Sequence, residues 1–313
     1  MAESNLKEID LDLIDRNPEN PRIVFRPSEM AQLMDSIRLY GVQVPISVYR
    51  EGKRFVLIDG ERRWRCSIKL NLKKIPALVQ AKPDRLTNLL LMFNIHALRE
   101  QWDLLTLAAK LPDIQKLLHK RNDRPPTEKE LSIETGLLIS VIRRCKLLIA
   151  LPEKYRQSIL VELQKPKPQQ IFTEDFFIEM ERALKTVERN MPDVVNNIGK
   201  DKIREVLISK FKDGVITNRV DFRQIAKIAR ADKVSVDVSE ARESLVRLFH
   251  NNSYSITSAY QDSVGFAYDE RDLVTKVTGL ASFLTSFENS EIDDDVREAL
   301  EELQAEIDKL LGA

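Results

Sequence analysis

Seven consecutive residues, Asp59-Gly60-Glu61-Arg62-Arg63-Trp64-Arg65, constrain this chain more than any other stretch. The run before them, residues 54–58, reads as a strand, and the run after them, residues 61–70, reads as a helix. A strand that ends in glycine and opens directly into a helix leaves the first-turn N–H groups without intrahelical partners. It also aims the positive end of the helix dipole at whatever sits there. Gly60 removes the Cβ that would keep an anion away from the backbone. Three arginines in four positions add cationic charge, with Arg62 and Arg65 on one helix face and Arg63 projecting elsewhere. The pattern suits a phosphate; alone, it equally suits a solvated helix start whose arginines pair with carboxylates.

The surroundings of that turn alternate between strand and helix signals. Leu6, Ile9, Leu11 and Leu13 mark an extended segment, closed by the turn residues Asn17-Pro18-Glu19-Asn20-Pro21-Arg22. Pro27 and Ser28 open a helix, with Ser28 as its expected N-cap and Met30, Leu33, Met34 and Ile37 at helical spacing; Gly41 ends it. Residues 46–49 and 54–58 form a strand pair around Glu51-Gly52-Lys53, and residues 75–79 form another strand. After Pro83 the strand signals fade. Residues 86–98, 102–118, 131–151, 174–189, 200–212, 221–231 and 293–311 read as helices, and Lys165-Pro166-Lys167-Pro168-Gln169-Gln170 reads as a linker. The expected architecture is a small α+β N-terminal domain, a mixed sheet with helices, followed by mostly α-helical domains. The expected boundaries are 1–112, 113–165 and 171–313.

Composition excludes several classes. With 43% hydrophobic and 31% charged residues, the 313-residue chain is long enough for about two domains. No run of about 18 apolar residues is present, so no membrane span is expected. The first 15 residues lack a basic-then-apolar leader pattern, which points to the cytoplasm. Cys66 and Cys145 make no disulfide framework, and three scattered histidines make no metal cluster. The zero net charge hides an asymmetry: residues 1–230 carry 42 basic against 31 acidic groups, residues 231–313 carry 7 against 18. A basic body with an acidic end fits a polyanion-binding module joined to an interaction module.

The ordered set Asn17-Pro18, Asn20-Pro21-Arg22, Gly41-Val42-Gln43-Val44-Pro45-Ile46, Gly60-Glu61-Arg62-Arg63-Trp64-Arg65 and Ile75-Pro76-Ala77 resembles the N-terminal domain of the ParB family of chromosome and plasmid partition proteins. The resemblance covers about residues 6–112 and continues through a helix-turn-helix to about residue 165. It implies a nucleotide-switched DNA-binding protein that takes CTP with Mg2+. Carried over by position, the implied nucleotide contacts are Ser36, Gly41, Pro45, Gly60, Glu61, Arg62, Arg63, Arg65 and Asn94, with Asn94 also the implied metal contact. The family's third box places a glutamate where this chain has Phe93, and the nearest arginine, Arg99, comes two residues late. Losing that hard oxygen ligand leaves nucleotide binding with, at most, weak CTP hydrolysis as the expectation. The resemblance extends to other proteins built on this small domain. Sulfiredoxin has a cysteine directly after the glycine, where this chain has Glu61, so reductase chemistry is rejected and Cys66 is expected to pack as a small apolar residue. A free-serine kinase and a nuclease on the same scaffold remain as enzyme readings, with Glu61 as the catalytic carboxylate and a divalent ion.

The middle of the chain carries the DNA-binding expectation. Thr127 with Glu130 forms a capping box, Gly136 occupies the turn, and a second helix over 139–150 carries Ser140, Arg143 and Arg144 as a polar stripe that Lys146 extends. Lys120 and Arg121 just upstream suit phosphate contacts to double-stranded DNA. Near the acidic end, Val296, Leu300, Leu303, Ile307 and Leu310 follow a 4-3-4-3 spacing. That seam suits either docking on its own domain or a homodimer or protein-partner contact.

Overall fold

The computed structural model describes residues 5–97, 103–287 and 292–312. It divides into two compact units, Met1–Lys185 and Thr186–Ala313. The first unit opens with a five-stranded mixed sheet: β1 (Asn5–Asp10), β2 (Ile14–Asp15), β3 (Ile46–Glu51), β4 (Arg54–Asp59) and β5 (Lys74–Gln80), in the spatial order β1-β5-β3-β4-β2. The β3–β4 hairpin turns at Gly52, whose φ of 61° lies in the left-handed region. β3 runs parallel to β5 and β4 parallel to β2. The register between β3 and β4 shifts between Ser47 and Val48, so β4 bulges just before Gly60.

Alternating side chains build a core on each face of this sheet. Ile9, Leu11, Ile14, Ile46, Val48, Leu57, Ile75 and Ala77 pack on one side, with Trp64 against them. Tyr49, Val56 and Ile58 pack on the other. Helices α1 (Pro27–Tyr40) and α2 (Glu61–Lys69) close over Met30, Ile37 and Cys66. The α1 N-cap is Arg26 rather than the expected Ser28, because Pro27 with its fixed φ takes the first helical position and leaves Ser28 inside the helix. Cys66 is fully buried, its thiol directed at the Met30 carbonyl, as a small packed residue would be.

Helices α3 (Arg85–Ala97), α4 (Leu104–Asn122), α5 (Glu128–Thr135), α6 (Ile139–Ile149), α7 (Glu153–Gln164) and α8 (Glu174–Asn190) follow. The expected boundary at 112/113 falls inside α4, which runs through Pro112. The expected linker at 165–170 is a short 3-10 turn tied down by Ile171, whose N–H donates to Glu162 Oε2 at 2.8 Å. Glu162 is itself buried, so the proline-rich stretch belongs to the first unit. The second unit, which begins within α8, continues as α9 (Pro192–Ile198), α10 (Lys200–Lys212), α11 (Phe222–Ile228), α12 (Val238–His250), α13 (Ile256–Tyr260), α14 (Phe266–Thr285) and α15 (Asp294–Leu311). Its core includes the buried Lys210, whose ammonium donates to the carbonyls of Asn251 (2.6 Å), Asn252 (3.3 Å) and Tyr254. No described helix is long and apolar enough to cross a membrane.

Candidate functional site

The strand-to-helix turn that the sequence singles out is built around a left-handed glycine. Gly60 is the N-cap of α2 with φ 94°, and a Cβ there would meet Ile46 Cγ2 at 2.6 Å. Only glycine satisfies both conditions. Its N-cap residue is a glycine and has no side chain to cap α2, and the first turn of the helix lines an open cavity of about 330 Å³. Asn20, Arg22, Leu33, Val44, Ile58, Asp59, Gly60, Glu61, Arg62 and Arg63 wall that cavity. Three guanidinium groups beside the positive end of a helix are the donor set that a polyphosphate requires.

Each arginine of the turn is held in place. Arg63 donates to the carbonyls of Val44 and Pro45, the latter at 2.6 Å, and pairs with Asp59 at 2.9 Å. It therefore ties the loop ahead of β3 to the first turn of α2. Arg62 reaches the Glu29 carbonyl at 3.3 Å and its carboxylate at 3.5 Å. Arg65 lies over the Phe25 ring, 4.0 Å from its centroid, and gives both Nε (2.8 Å) and Nη2 (2.6 Å) to Glu61 Oε1. Glu61, buried, also receives Asn20 Nδ2 at 2.5 Å and Arg16 Nε at 3.1 Å. Its carboxylate is thus the anchor of the site's floor, shared by three donors.

Ser36, Gly41 and Asn94 are not among the residues that wall the cavity. Ser36 sits on the exposed side of α1 one turn past Leu33. Gly41 caps α1 through its N–H to Ile37 O at 2.9 Å. Pro45 contributes its carbonyl to Arg63. Asn94 turns the other way, its amide donating to Leu90 O (2.9 Å) and to Glu134 O at the end of α5 (3.0 Å). Phe93 is fully buried, which explains an aromatic where a carboxylate was expected. Arg99 lies outside the described residues. No group of three or more His, Cys, Asp or Glu is placed to hold a metal among the described residues.

Two wall residues, Asn20 and Arg22, come from the loop over residues 16–22, as does Arg16, which pairs with Glu61. The sequence shows that loop only as turn chemistry. It is drawn in by Asn17, which is buried and donates to Asn88 Oδ1 on α3 at 3.2 Å. Burial, aided by the charge of Arg62, lowers the Arg22 guanidinium to about 10. An anion in the cavity would offset that desolvation.

The helix-turn-helix takes its expected form. Thr127 and Glu130 make a reciprocal capping box on α5, Gly136 turns the chain at φ 73°, and Ser132 Oγ donates to Leu137 O at 2.6 Å. Leu137, Ile142 and Cys145 are buried between the helices. Ser140 is exposed on α6. Arg143 Nε and Lys146 Nζ share the Glu128 carboxylate, at 2.7 and 2.8 Å, whereas Arg144 turns to Asp175 on α8. Arg143 and Arg144 lie on either side of the Ser140 line along α6, the first bound toward α5 and the second toward α8. Lys120 is exposed at the end of α4, and Arg121 beside it pairs with Glu134.

Residues 1–95 match the family model of the ParB N-terminal domain. The nucleoid occlusion protein of Listeria monocytogenes is 30% identical over 159 residues, covering 50% of this chain and 53% of that protein. A probable chromosome-partitioning protein ParB of Mycobacterium leprae is 34% identical over 164 residues, covering 49% of this chain and 47% of that protein. The crystal structure of the C-terminally truncated ParB from Caulobacter crescentus complexed with CTP-gamma-S is 25% identical, with a TM-score of 0.30, covering 58% of this chain and 99% of that one. The matched stretch spans about half the length of these two curated relatives.

Proposed function

From the premise that this chain carries a ParB N-terminal domain, we propose that it is a nucleotide-dependent DNA-binding protein of the partition type. The Gly60 cavity takes a nucleoside triphosphate, CTP first among them, and the α5–α6 pair takes double-stranded DNA. The observation that carries this reading is a continuous set of hydrogen bonds between the two. Asn20 and Arg22 wall the cavity, Asn17 in the same loop bonds α3, and Asn94 on α3 bonds the last turn of α5. A triphosphate that pulls on the 16–22 loop therefore acts on α3, and α3 acts on the helix-turn-helix.

The donor set fits the phosphates through Gly60, Arg22, Arg62, Arg63 and the first turn of α2. It offers no protein cage for a metal: Asp59 is paired with Arg63, and Glu61 is shared by Arg65, Arg16 and Asn20. Mg2+ in this reading arrives on the nucleotide and keeps most of its water. Glu61, giving its oxygens to three donors, supports the cavity floor rather than acting as a base. The acidic second unit holds a second copy of the chain.

Calorimetric titration of the folded protein with CTP, ATP and GTP in magnesium tests the reading. Selective CTP binding is the expected result. Absence of binding to all three would mean a DNA-binding regulator without a nucleotide switch, and selective ATP binding would favour a kinase.

A further inference from the structure

Arg143 differs from every other cation on the DNA-reading helix in how it is held. Its side chain is 67% exposed, yet its Nε is fixed on Glu128 Oε2 at 2.7 Å. Among the described residues Nη1 and Nη2 have no hydrogen-bond partner. The other oxygen of Glu128 is occupied by Lys146 Nζ at 2.8 Å. The backbone that carries Glu128 is fixed, because it is the first residue of α5 and the capping box of Thr127 and Glu130 locks that turn: Thr127 N–H donates to Glu130 Oε2 at 2.8 Å, and Glu130 N–H donates to Thr127 Oγ1 at 3.2 Å. Gly136 and the Ser132–Leu137 bond fix α5 against α6 in turn. The guanidinium is therefore a rigid plane presenting two parallel N–H donors to solvent from the exposed face of α6, with Ser140 one turn away.

Two acceptors in DNA suit such a fork, a phosphate or the O6/N7 edge of guanine. The carboxylate separates them. A phosphate approaching the Arg143 fork also approaches the Glu128 carboxylate and is repelled at close range, while Lys146 on the other oxygen leaves the three-membered cluster with one net positive charge. The guanine edge is uncharged and needs only the fork. Fixing Nε beforehand also removes the side-chain entropy otherwise lost when both terminal nitrogens bind.

We propose that Arg143 is the specificity-determining residue of the DNA interface, reading one guanine in the major groove, and that Glu128 is the positioning residue that holds its fork. This rests on the DNA-binding reading above. It predicts a sequence preference in which one guanine per bound helix-turn-helix depends on this pair.

The test begins with selection of bound duplexes from a random-sequence pool by the full chain, followed by competition between the selected site and random duplex. Arg143→Ala and Arg143→Lys should each lose the preference at one G·C pair by roughly tenfold. Arg143→Lys should keep its affinity for random duplex, since the charge remains without the fork. Glu128→Gln should move the two readouts in opposite directions. Guanine preference falls several-fold as the fork loosens, while affinity for random duplex rises and its logarithmic salt slope steepens by about 1 as a cation is released to phosphate. A uniform loss of affinity across all sequences in Arg143→Ala would make Arg143 a phosphate contact and overturn the inference. Unchanged preference in Glu128→Gln would remove its positioning role. No binding of any duplex by the folded wild type would instead overturn the DNA-binding reading, and this inference with it.

Discussion

Asp59 and Arg63 meet across the strand-to-helix turn, Oδ2 to Nη2 at 2.9 Å, and the pair closes over Gly60. The Arg63 Nη2 lies 3.1 Å from where a Gly60 Cβ would stand, with Ile46 Cγ2 nearer still on the other side. One ion pair therefore fixes the end of β4, the start of α2 and, through the Val44 and Pro45 carbonyls, the loop that forms the cavity's far wall.

Removing that brace should separate nucleotide binding from DNA binding. In the proposed reading Arg63→Ala removes a phosphate donor and frees the 41–45 loop, so nucleotide affinity in calorimetry should fall at least about tenfold. The nucleotide's effect on DNA affinity should vanish, while DNA binding without nucleotide persists, because the α5–α6 pair takes no support from Arg63. A nucleotide effect that survived in this variant would mean the phosphates sit elsewhere.

Gly60→Ala tests the turn itself. The new methyl meets Ile46 at 2.6 Å and forces an alanine to φ 94°, so the variant should lose about 1–3 kcal/mol of unfolding free energy in urea. Equal stability of Gly60→Ala and wild type would show that the turn relaxes freely.

The turn at Gly60, the β3–β4 hairpin and the two helices of the helix-turn-helix were legible in the sequence because local chemistry dictates each of them. A glycine between a strand and a helix, a capping box and a turn glycine carry their conformations with them. The wall formed by Arg22 and Asn20 was not legible, because the loop over 16–22 is placed by Asn17 and Asn88, 71 residues apart. The Arg144 contact was not legible, because its flank of α6 meets Asp175, which lies beyond the proline-rich turn at 165–170. That turn looked like a linker because its prolines are visible and the buried Glu162 that holds it is not marked by any local pattern. In the second unit, α12 to α14 went unassigned, since α13 is a single short turn running into a π-helical stretch over Gln261–Gly265.

A carboxyl group between α4 and α8 makes stability depend on pH. Glu174, half-buried at the start of α8, accepts the Leu105 N–H of α4 at 2.6 Å. Burial raises its carboxyl from 4.5 to about 7, against the opposing bonds from the Leu105 and Leu104 amides, with Asp103 adding to the rise. Between those two values the folded chain binds the proton more tightly than the unfolded chain. Its contribution to stability therefore declines as pH rises from about 4.5 to about 7 and is fully lost above that. Glu174→Gln keeps an oxygen acceptor for Leu105 and cannot ionise. It should melt close to wild type at pH 5 and above it at pH 8, and parallel melting curves for the two across that range would place the titration elsewhere.

The last two helices bear on assembly. No residue of α14 or α15 is buried, and Phe266, Val274 and Phe283 on α14, with Leu303, Ile307 and Leu310 on α15, face solvent. Most helical stability comes from packing an apolar face rather than from propensity, so these uncovered faces call for a partner. On α15 the a/d seam runs Val296, Leu300, Leu303, Ile307 and Leu310, and the flanking e and g positions are Arg297, Ala299, Gln304, Glu306 and Leu311. In a parallel pair, Ala299 meets Gln304 and Glu306 meets Leu311 of the second copy, so the acidic groups Glu298, Glu301, Glu302 and Asp308 stay on the outer face and no like charges are forced together. The chain should therefore run as a dimer in size-exclusion chromatography with light scattering, and Leu303→Asp with Ile307→Asp should convert it to a monomer with nearly unchanged helical circular dichroism. A double variant that remained dimeric would exclude the α15 seam as the contact between copies.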